Sequence, residues 1–458
     1  MLFSLTQRPL NANAYGDRPY VFMDQAAHND LANIASINLI ENGDRTAREI
    51  WQNRQLTNLL KHAHERSAFW RKRMPSRIIN YGILKFLPVQ GRYDVTTQMT
   101  LEGSLVASDG KAPISTYAST GSTGTPVKIY TSHENTYYNG IRSLAQIFID
   151  DLSLDENWVQ IVPPVRMAAF KKNTLAVKRA DSWAGSLGKV FRSGSSKKIE
   201  YRYDDDCLIN ELLKERVGYL LSPSRYVEIL IASGGIDLIK KLGIKLWFHL
   251  SDYRDPEIVS KLSAIGVPSL SNYSAVEIGP IAFECTKHQG YFHVAHTNVI
   301  VESDDKLAVS YNGTSLARLL VTHLHSYATP IIRYDVGDFG QVEQKCRCGH
   351  DGPTISSIFG RGKHFLRLPN GNLRPFYVST RLLQEVVAFK ECCIRQPDRQ
   401  TIKVEIGGRE NLTADEEKKL KEVIGKATDP TFTIDINPVK QIDWSSNPKR
   451  LFFSSAVA

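Results

Sequence analysis

The chain has 458 residues, 42% of them hydrophobic and 23% charged. That balance excludes a disordered or fibrous protein, and the length exceeds one ordinary core, so one large layered domain or two to three domains are expected. Lysine plus arginine number 57 against 48 for aspartate plus glutamate, a net charge of +9 carried in scattered pairs such as Lys171–Lys172 and Lys240–Lys241.

These basic residues are not interleaved with aromatics, so no nucleic-acid partner is expected. The excess suits an anionic small substrate or an acidic carrier protein. No apolar run approaches the ~20 residues of a membrane helix. The start "MLFSLTQRPL" lacks the charged region and apolar length of a secretory signal, so a cytoplasmic protein with no membrane partner is expected. Six cysteines, Cys207, Cys285, Cys346, Cys348, Cys392 and Cys393, do not make a disulfide framework at this length.

In chain order, the first 40 residues read as irregular. "TAREIWQNRQLTNLLKHAHERSAFW" then predicts a helix, with Thr46 and Glu49 at capping-box spacing and Ile50, Leu56, Leu59, Leu60 and Ala63 on its apolar stripe. "ISTYA" and "KIYTS" are strand-like, as are "NWVQIVPP" and "IKLWFHL", while "DPEIVSKLSAIG" predicts a helix ending at Gly266. This alternation favours an α/β fold with wound sheets. Beyond "IFGRGKHFLRLPNGNLRPF" the pattern becomes helix ("RLLQEVVAF"), strand ("TIKVEI"), helix ("TADEEKKLKEVIGKA") and strand ("FTIDI"). Thr413 and Glu416 again have capping-box spacing, and "PNGNL" is a strong turn signal. The expected division is a large domain over 1–360 and a small α+β lid over 361–458, parted near Arg361.

Between "ISTYA" and "KIYTS" lies "STGSTGTPVK", residues 119–128. Its glycines let backbone N–H groups converge on an anion, its hydroxyls add donors, and Lys128 adds charge, so it can cradle a polyphosphate. It is not a Walker A loop, since no Gly-Lys-Ser/Thr occurs in the chain. The plain alternative is a hydroxyl-rich surface turn.

Read in order, "STGSTGTPVK", "NYSAVEIGPIAFEC" (272–285), "TPIIRYDVGDFG" (329–340), "FGRGKHF" (359–365) and "NPKRLFF" (447–453) resemble the motifs of adenylate-forming enzymes, the acyl- and aryl-CoA ligase superfamily. "QLTNLLKHAHERSAFWRKRM" followed by "LPVQGRYDV", and "FLRLPNGNLRPF" after the hinge, are similar to the phenylacetate–CoA ligase and CapK-like branch. The resemblance runs from about residue 50 to the end.

It implies activation of a carboxylic acid by ATP to an acyl-adenylate with release of pyrophosphate, then acyl transfer to CoA. An amine or amino acid as acceptor, as in adenylating amide synthetases, is the alternative. A non-catalytic nucleotide-binding relative is a third reading, because Lys363 or His364 replaces the usual acidic hinge residue and Asn447-Pro448 precedes Lys449 where relatives carry glycine.

The implied ATP site comprises Ser119, Thr120, Gly121, Ser122, Thr123, Gly124 and Lys128 on the phosphates, although Val127 separates the proline from the lysine here. Tyr273 and Ser274 fall at adenine, or Tyr273 is a core tyrosine. Asp338 falls at the ribose hydroxyls, which suits a carboxylate that accepts two hydrogen bonds from a cis-diol. Arg361 falls near the ribose at the hinge, whereas Arg333 is expected to pair locally. Glu277 falls on the magnesium-binding acid, a role that suits a hard oxygen ligand, or it is a solvated loop acid. Lys449 resembles the mobile catalytic lysine that offsets charge on the α-phosphate, or belongs to a charged tail.

The same branch places a structural Zn2+ on Cys285, His293, Cys346 and Cys348, with His288 and His350 as rival ligands and three unliganded thiols as the alternative. Cys207, Cys392 and Cys393 read as packing residues. "PPVRMAAF" (163–170) and "HLSDYRDP" (249–256) are expected to line the acid pocket, with Ser251-Asp252 where relatives carry Gly-Glu. The acid, the acceptor and the oligomeric state, a homodimer included, stay open.

Overall fold

In the computed structural model, one twelve-stranded sheet organises the middle of the chain. The structure describes residues 24–75, 81–98, 114–118, 127–162, 174–202, 205–250, 254, 256–311, 314–359, 365–370, 372–376, 378, 380–389, 391–443 and 452–457. One half of the sheet is parallel and runs Ser269–Ala275, Ile244–His249, Gly218–Ser222, Trp158–Val162, Ser196–Arg202, with Thr174–Ala180 antiparallel at the edge. The other half is antiparallel and runs Gly279–Glu284, Tyr291–Val294, Thr354–Phe359, Tyr334–Glu343, Thr314–His323, Val299–Tyr311. Strand Ser269–Ala275 joins the halves, parallel to Ile244–His249 and antiparallel to Gly279–Glu284. It carries Tyr273 and leads into Glu277.

The buried runs Trp158–Val162 and Ile244–His249 are strands as their sequences predict, and Pro256–Ser263 is a helix. Gly266, at φ 76°, donates its N–H to Ser263, so this glycine closes the turn after the helix rather than ending it.

The predicted N-terminal helix forms as Arg45–Arg66, but its cap differs. The Asp44 carboxylate accepts the Ala47 N–H at 3.0 Å, so a charged cap two residues upstream displaces the Thr46/Glu49 box. Leu56, Leu59, Leu60 and Ala63 are buried, whereas Ile50 is 50% exposed and lies off the stripe. Ser67 breaks the helix and caps Ala68–Arg73, where the buried Trp70 indole donates to the Pro330 carbonyl at 3.2 Å.

The stretch read as irregular holds helix Gln25–Glu41, capped by Asp24. Its apolar residues surround the axis rather than line one side: Ile34 is buried and Leu39 is 75% exposed. No clear 3.6-residue stripe therefore marks it.

Strands Ile114–Ala118 and Lys128–Ser132 form a separate hairpin, Ala118 paired with Lys128. Val127 and Ile129 anchor it in the core that holds Leu59, Ile281 and Ile332. The segment 119–126 lies outside the described residues.

The C-terminal residues build their own core, including Leu366, Leu383, Ile394, Val404, Leu420 and Phe453. Their four-stranded sheet runs Thr433–Val439, Thr401–Gly407, Glu391–Gln396, Phe453–Ser455. Helices Thr380–Val386 and Ala414–Ala427 accompany it, the second closed by the predicted capping box: Thr413 N–H to Glu416 Oε2 at 2.8 Å and Glu416 N–H to Thr413 Oγ1 at 3.2 Å. The predicted turn joins Phe365–Arg367 to Leu373–Pro375. Phe365 is fully buried and packs at a tilt against Phe339 of the large sheet, ring centroids 5.0 Å apart. Arg361 and the expected boundary lie outside the described residues. Among those described, no helix is long and apolar enough to cross a membrane.

Candidate functional site

Tyr273 and Asp338, 65 positions apart in sequence, are joined by a hydrogen bond: the tyrosine hydroxyl donates to Oδ2 at 2.7 Å. Two irregularities in the sheet aim them at each other. A register shift between Tyr273 and Ser274 interrupts the pairing with Gly279–Glu284. On the other strand, Arg318 to Leu320 face Asp335 to Phe339, two steps against four, and Gly337 within that bulge takes φ 84°. Bulges of this kind redirect a side chain without breaking the sheet, and only glycine enters that backbone region without strain. Both side chains are half-buried, while Ser274 is exposed beside them.

The neighbouring Asp335 is occupied. It pairs with Arg318 at 3.0 Å and accepts the Gly337 N–H at 2.9 Å. Arg333 pairs locally as expected, with Glu302 at 3.2 Å and the Lys85 carbonyl at 3.1 Å.

Glu277 follows the strand in a turn closed by Ile278 N–H to Ala275 carbonyl at 3.1 Å. Asn298 holds this turn by donating to the Pro280 carbonyl at 2.7 Å. The Glu277 carboxylate is buried, which excludes a solvated loop acid. Its Oε1 lies 3.5 Å from the Tyr334 hydroxyl and 3.9 Å from Arg92, and its buried Oε2 has no hydrogen-bond partner among the described residues. A buried carboxylate oxygen left without a donor is costly and fits a cation ligand.

Sequence reasoning passed over Arg92, Gln90 and Thr329. Buried Gln90 accepts the Ile332 N–H at 3.1 Å, and its backbone exchanges bonds with Arg333 and Asp335. Thr329 Oγ1 accepts the Tyr130 N–H at 3.0 Å. "LPVQGRYDV", the Lys128 hairpin and the Asp338 segment are therefore fastened together. The residues "QGR" lie within "LPVQGRYDV", but nothing local in the sequence links them to Glu277. Lys128 opens its strand, exposed, at the mouth of the hairpin. Ser119, Thr120, Gly121, Ser122, Thr123, Gly124, Arg361 and Lys449 lie outside the described residues, as does "PPVRMAAF".

A second centre lies in the antiparallel half. The ligand atoms of Cys285, His293, Cys346 and Cys348 all fall within 4.8 Å of one another. Two tight turns present them. Cys285 N–H bonds the Tyr291 carbonyl at 2.7 Å, and Gly349 N–H bonds the Cys346 carbonyl at 3.0 Å with Gly349 at φ 96°. His293 Nε2 lies 3.4 Å from Cys348 Sγ. His350 stacks on His293 at 4.3 Å, and neither it nor His288 joins the cluster.

Burial pushes the Cys285 thiol up and the Cys346 thiol up to about 12. For Cys348, burial is outweighed by the His350 N–H and by its partner thiols, so its thiol sits below the ordinary range. Burial, then the nearby His350, brings His293 down to about 4, leaving a neutral imidazole. One neutral imidazole and three clustered thiols make a donor set suited to a soft, tetrahedral ion. Of the remaining cysteines, Cys392 and Cys393 are buried as expected and Cys207 is exposed.

No protein-family model matches the chain, and no curated protein matches it. Solved structures do. The chain is similar to 2-hydroxyisobutyryl-CoA ligase in the postadenylation state, in complex with R3-HIB-AMP: TM-score 0.62, 15% identity, over 92% of this chain and 91% of that one. The same ligase with 2-HIB-AMP and CoA in the thioesterification state matches at TM-score 0.58 and 14% identity, over 91% and 92%. The acyl acid amido synthetase AtGH3.15, in complex with 2,4-DB, matches at TM-score 0.54 and 13% identity, over 92% and 90%. At identities this low the structural likeness shows the fold alone: the chain has the fold of the adenylate-forming enzymes.

Proposed function

We propose that this chain activates a carboxylic acid with ATP and transfers the acyl group to CoA. The carboxylate attacks the α-phosphate, pyrophosphate leaves, and the CoA thiol then displaces AMP from the acyl-adenylate. The observation that carries this reading is the Tyr273–Asp338 hydrogen bond together with the buried Glu277, whose Oε1 lies by Tyr334 on the Asp338 strand and whose Oε2 has no partner among the described residues.

In this reading Asp338 receives the ribose hydroxyls, Tyr273 and Ser274 border adenine, and residues 119–124 with Lys128 face the phosphates. Arg361 stands near the ribose. Lys449 lies on a lid spanning 361–458 that closes over a domain spanning 1–360. Glu277 would hold Mg2+, which neutralises phosphate charge when bound. Cys285, His293, Cys346 and Cys348 would hold a structural Zn2+: a tetrahedron with ~2.3 Å arms puts its ligand atoms ~3.8 Å apart, within the 4.8 Å of the cluster.

A second reading keeps the adenylation and replaces CoA by an amine or amino acid. It is favoured by the likeness to an amido synthetase over 92% of this chain. Acid-dependent ATP–pyrophosphate exchange tests both readings. Its absence across a broad acid panel overturns them, and the product formed when CoA, amines or a carrier protein is then offered separates them.

A further inference from the structure

The turn that carries Glu277 is held from two sides, and both holds trace to one buried arginine. On the first side, Asn298 donates its amide to the Ile278 carbonyl at 3.4 Å and to the Pro280 carbonyl at 2.7 Å. On the second, Gly279, at φ 83°, lies so close to Asn139 that an added Cβ would stand 2.6 Å from Asn139 Nδ2. Arg142, in helix His133–Ile149 and 4% exposed, donates one terminal nitrogen to Asn139 Oδ1 and the other to the Thr297 carbonyl, each at 3.0 Å.

Thr297 precedes Asn298, so the second of these bonds fixes the segment that aims the asparagine. Glu41, the last residue of helix Gln25–Glu41, completes the grip. Its carboxylate accepts the His296 N–H at 2.9 Å, the Thr297 N–H at 2.8 Å and the Thr297 hydroxyl at 2.6 Å. Thr297 is therefore held at its N–H by a carboxylate and at its carbonyl by a guanidinium.

Stability alone would not select this arrangement. Three buried atoms along it, Asn298 Oδ1, Arg142 Nε and Glu277 Oε2, have no hydrogen-bond partner among the described residues. Each such atom costs free energy, and a buried charge pair adds little net stability. Polar atoms left unmatched in a core mark places where geometry is kept for another purpose. The geometry kept here is that of one carboxylate: Glu277 leaves a turn whose carbonyls and glycine are both fixed. Residues that orient a metal ligand from behind typically carry 10- to 100-fold in metal affinity.

We infer that Asn298, Asn139 and Arg142 are positioning residues that hold the Glu277 carboxylate for a divalent cation on the phosphate side of the nucleotide. They act through the turn and not by contact with the ion. The inference rests on the adenylating reading with Glu277 as the Mg2+ ligand.

The test is calorimetric titration of the full chain with α,β-methylene-ATP, with and without Mg2+, and separately with AMP in the absence of metal. Asn298→Ala should remove most of the gain that Mg2+ brings, lowering affinity for the Mg2+-loaded analogue ~10-fold or more, and should leave AMP affinity in place. Arg142→Lys, which keeps the charge and loses the planar fork, should fall between parent and Asn298→Ala. If Asn298→Ala does not fold, Asn139→Ala reads the same gain and should lower it several-fold. An undiminished gain in the folded variant, or AMP affinity falling by the same factor as that of the analogue, overturns the positioning role and leaves adenylation standing. A parent chain that binds the analogue no better with Mg2+ overturns the positioning role together with that of Glu277, and acid-dependent pyrophosphate exchange then decides adenylation on its own. Absence of both nucleotide binding and exchange overturns both.

Discussion

Asp338 accepts the Tyr273 hydroxyl at 2.7 Å, which fixes one oxygen of the carboxylate. In the proposed reading this carboxylate also receives two ribose hydroxyls. Two hydrogen bonds to a charged group are worth ~3 kcal/mol together, about 100-fold in affinity. Asp338→Ala should weaken AMP binding by that order in calorimetric titration. Tyr273→Phe keeps the ring and loses only the orienting hydroxyl, so its loss should stay within ~10-fold. Equal losses in the two variants, or unchanged binding in Asp338→Ala, would remove Asp338 from the nucleotide site.

Glu277 separates a functional acid from a structural one by its effect on stability. A buried carboxylate with one unpartnered oxygen destabilises the fold, so Glu277→Gln should melt at or above the parent temperature. If the carboxylate holds Mg2+, the same variant should lose ~100-fold or more in pyrophosphate exchange and need far more Mg2+ for half-maximal rate. A variant that melts well below the parent and keeps its Mg2+ response would make Glu277 a packing residue.

Local signals in the sequence translated into structure where the chemistry is local. The Thr413/Glu416 box forms because cap and partner are three residues apart. The Thr46/Glu49 box fails because Asp44, a stronger and charged cap, stands just upstream. Helix Gln25–Glu41 was illegible because Ile34 and Leu39 point to opposite environments, so its burial is decided by the helix His133–Ile149 it packs against rather than by its own period. At the site, residue types pointed to Tyr273, Asp338 and Glu277, but not to Arg92 or Gln90, whose contacts span more than 180 positions. The Cys285–His293–Cys346–Cys348 set was named by resemblance, and the folded turns bring it together.

The thiol–imidazole centre ties two hairpins of the antiparallel half, so metal loss should register as lost stability before lost chemistry. Chain purified without chelator should carry about one equivalent of zinc, and chelation should lower the melting temperature. Cys346→Ser should melt like the chelated parent and show no further response to chelator. Absence of zinc in the purified chain, with melting indifferent to chelator, would leave four unliganded side chains.

Asp150 caps the C-terminus of helix His133–Ile149 and is half-buried there. Burial pushes its carboxyl up from 3.8 to about 6, against a hydrogen bond from Gln146 Nε2 at 2.9 Å. A negative charge at a helix C-terminus is unfavourable as well. Because the folded-state value is the higher one, the neutral acid's stabilisation is fully present below pH 3.8 and is lost as pH rises through about 6. A rise of about two units corresponds to ~3 kcal/mol at most. Half-buried His325, brought down to about 4 by desolvation and then by Arg142, acts in the opposite direction, its contribution lost as pH falls from 6.5 through about 4. The whole-chain pH profile therefore mixes both, and a difference between two chains isolates Asp150. Asp150→Asn keeps the shape and removes the charge, so it should be more stable than the parent at pH 7.5 by ~1–3 kcal/mol in urea unfolding, and the gap should close below pH 4. A constant gap across that range, or a less stable variant at pH 7.5, would place the charged form of Asp150 among the stabilising groups instead.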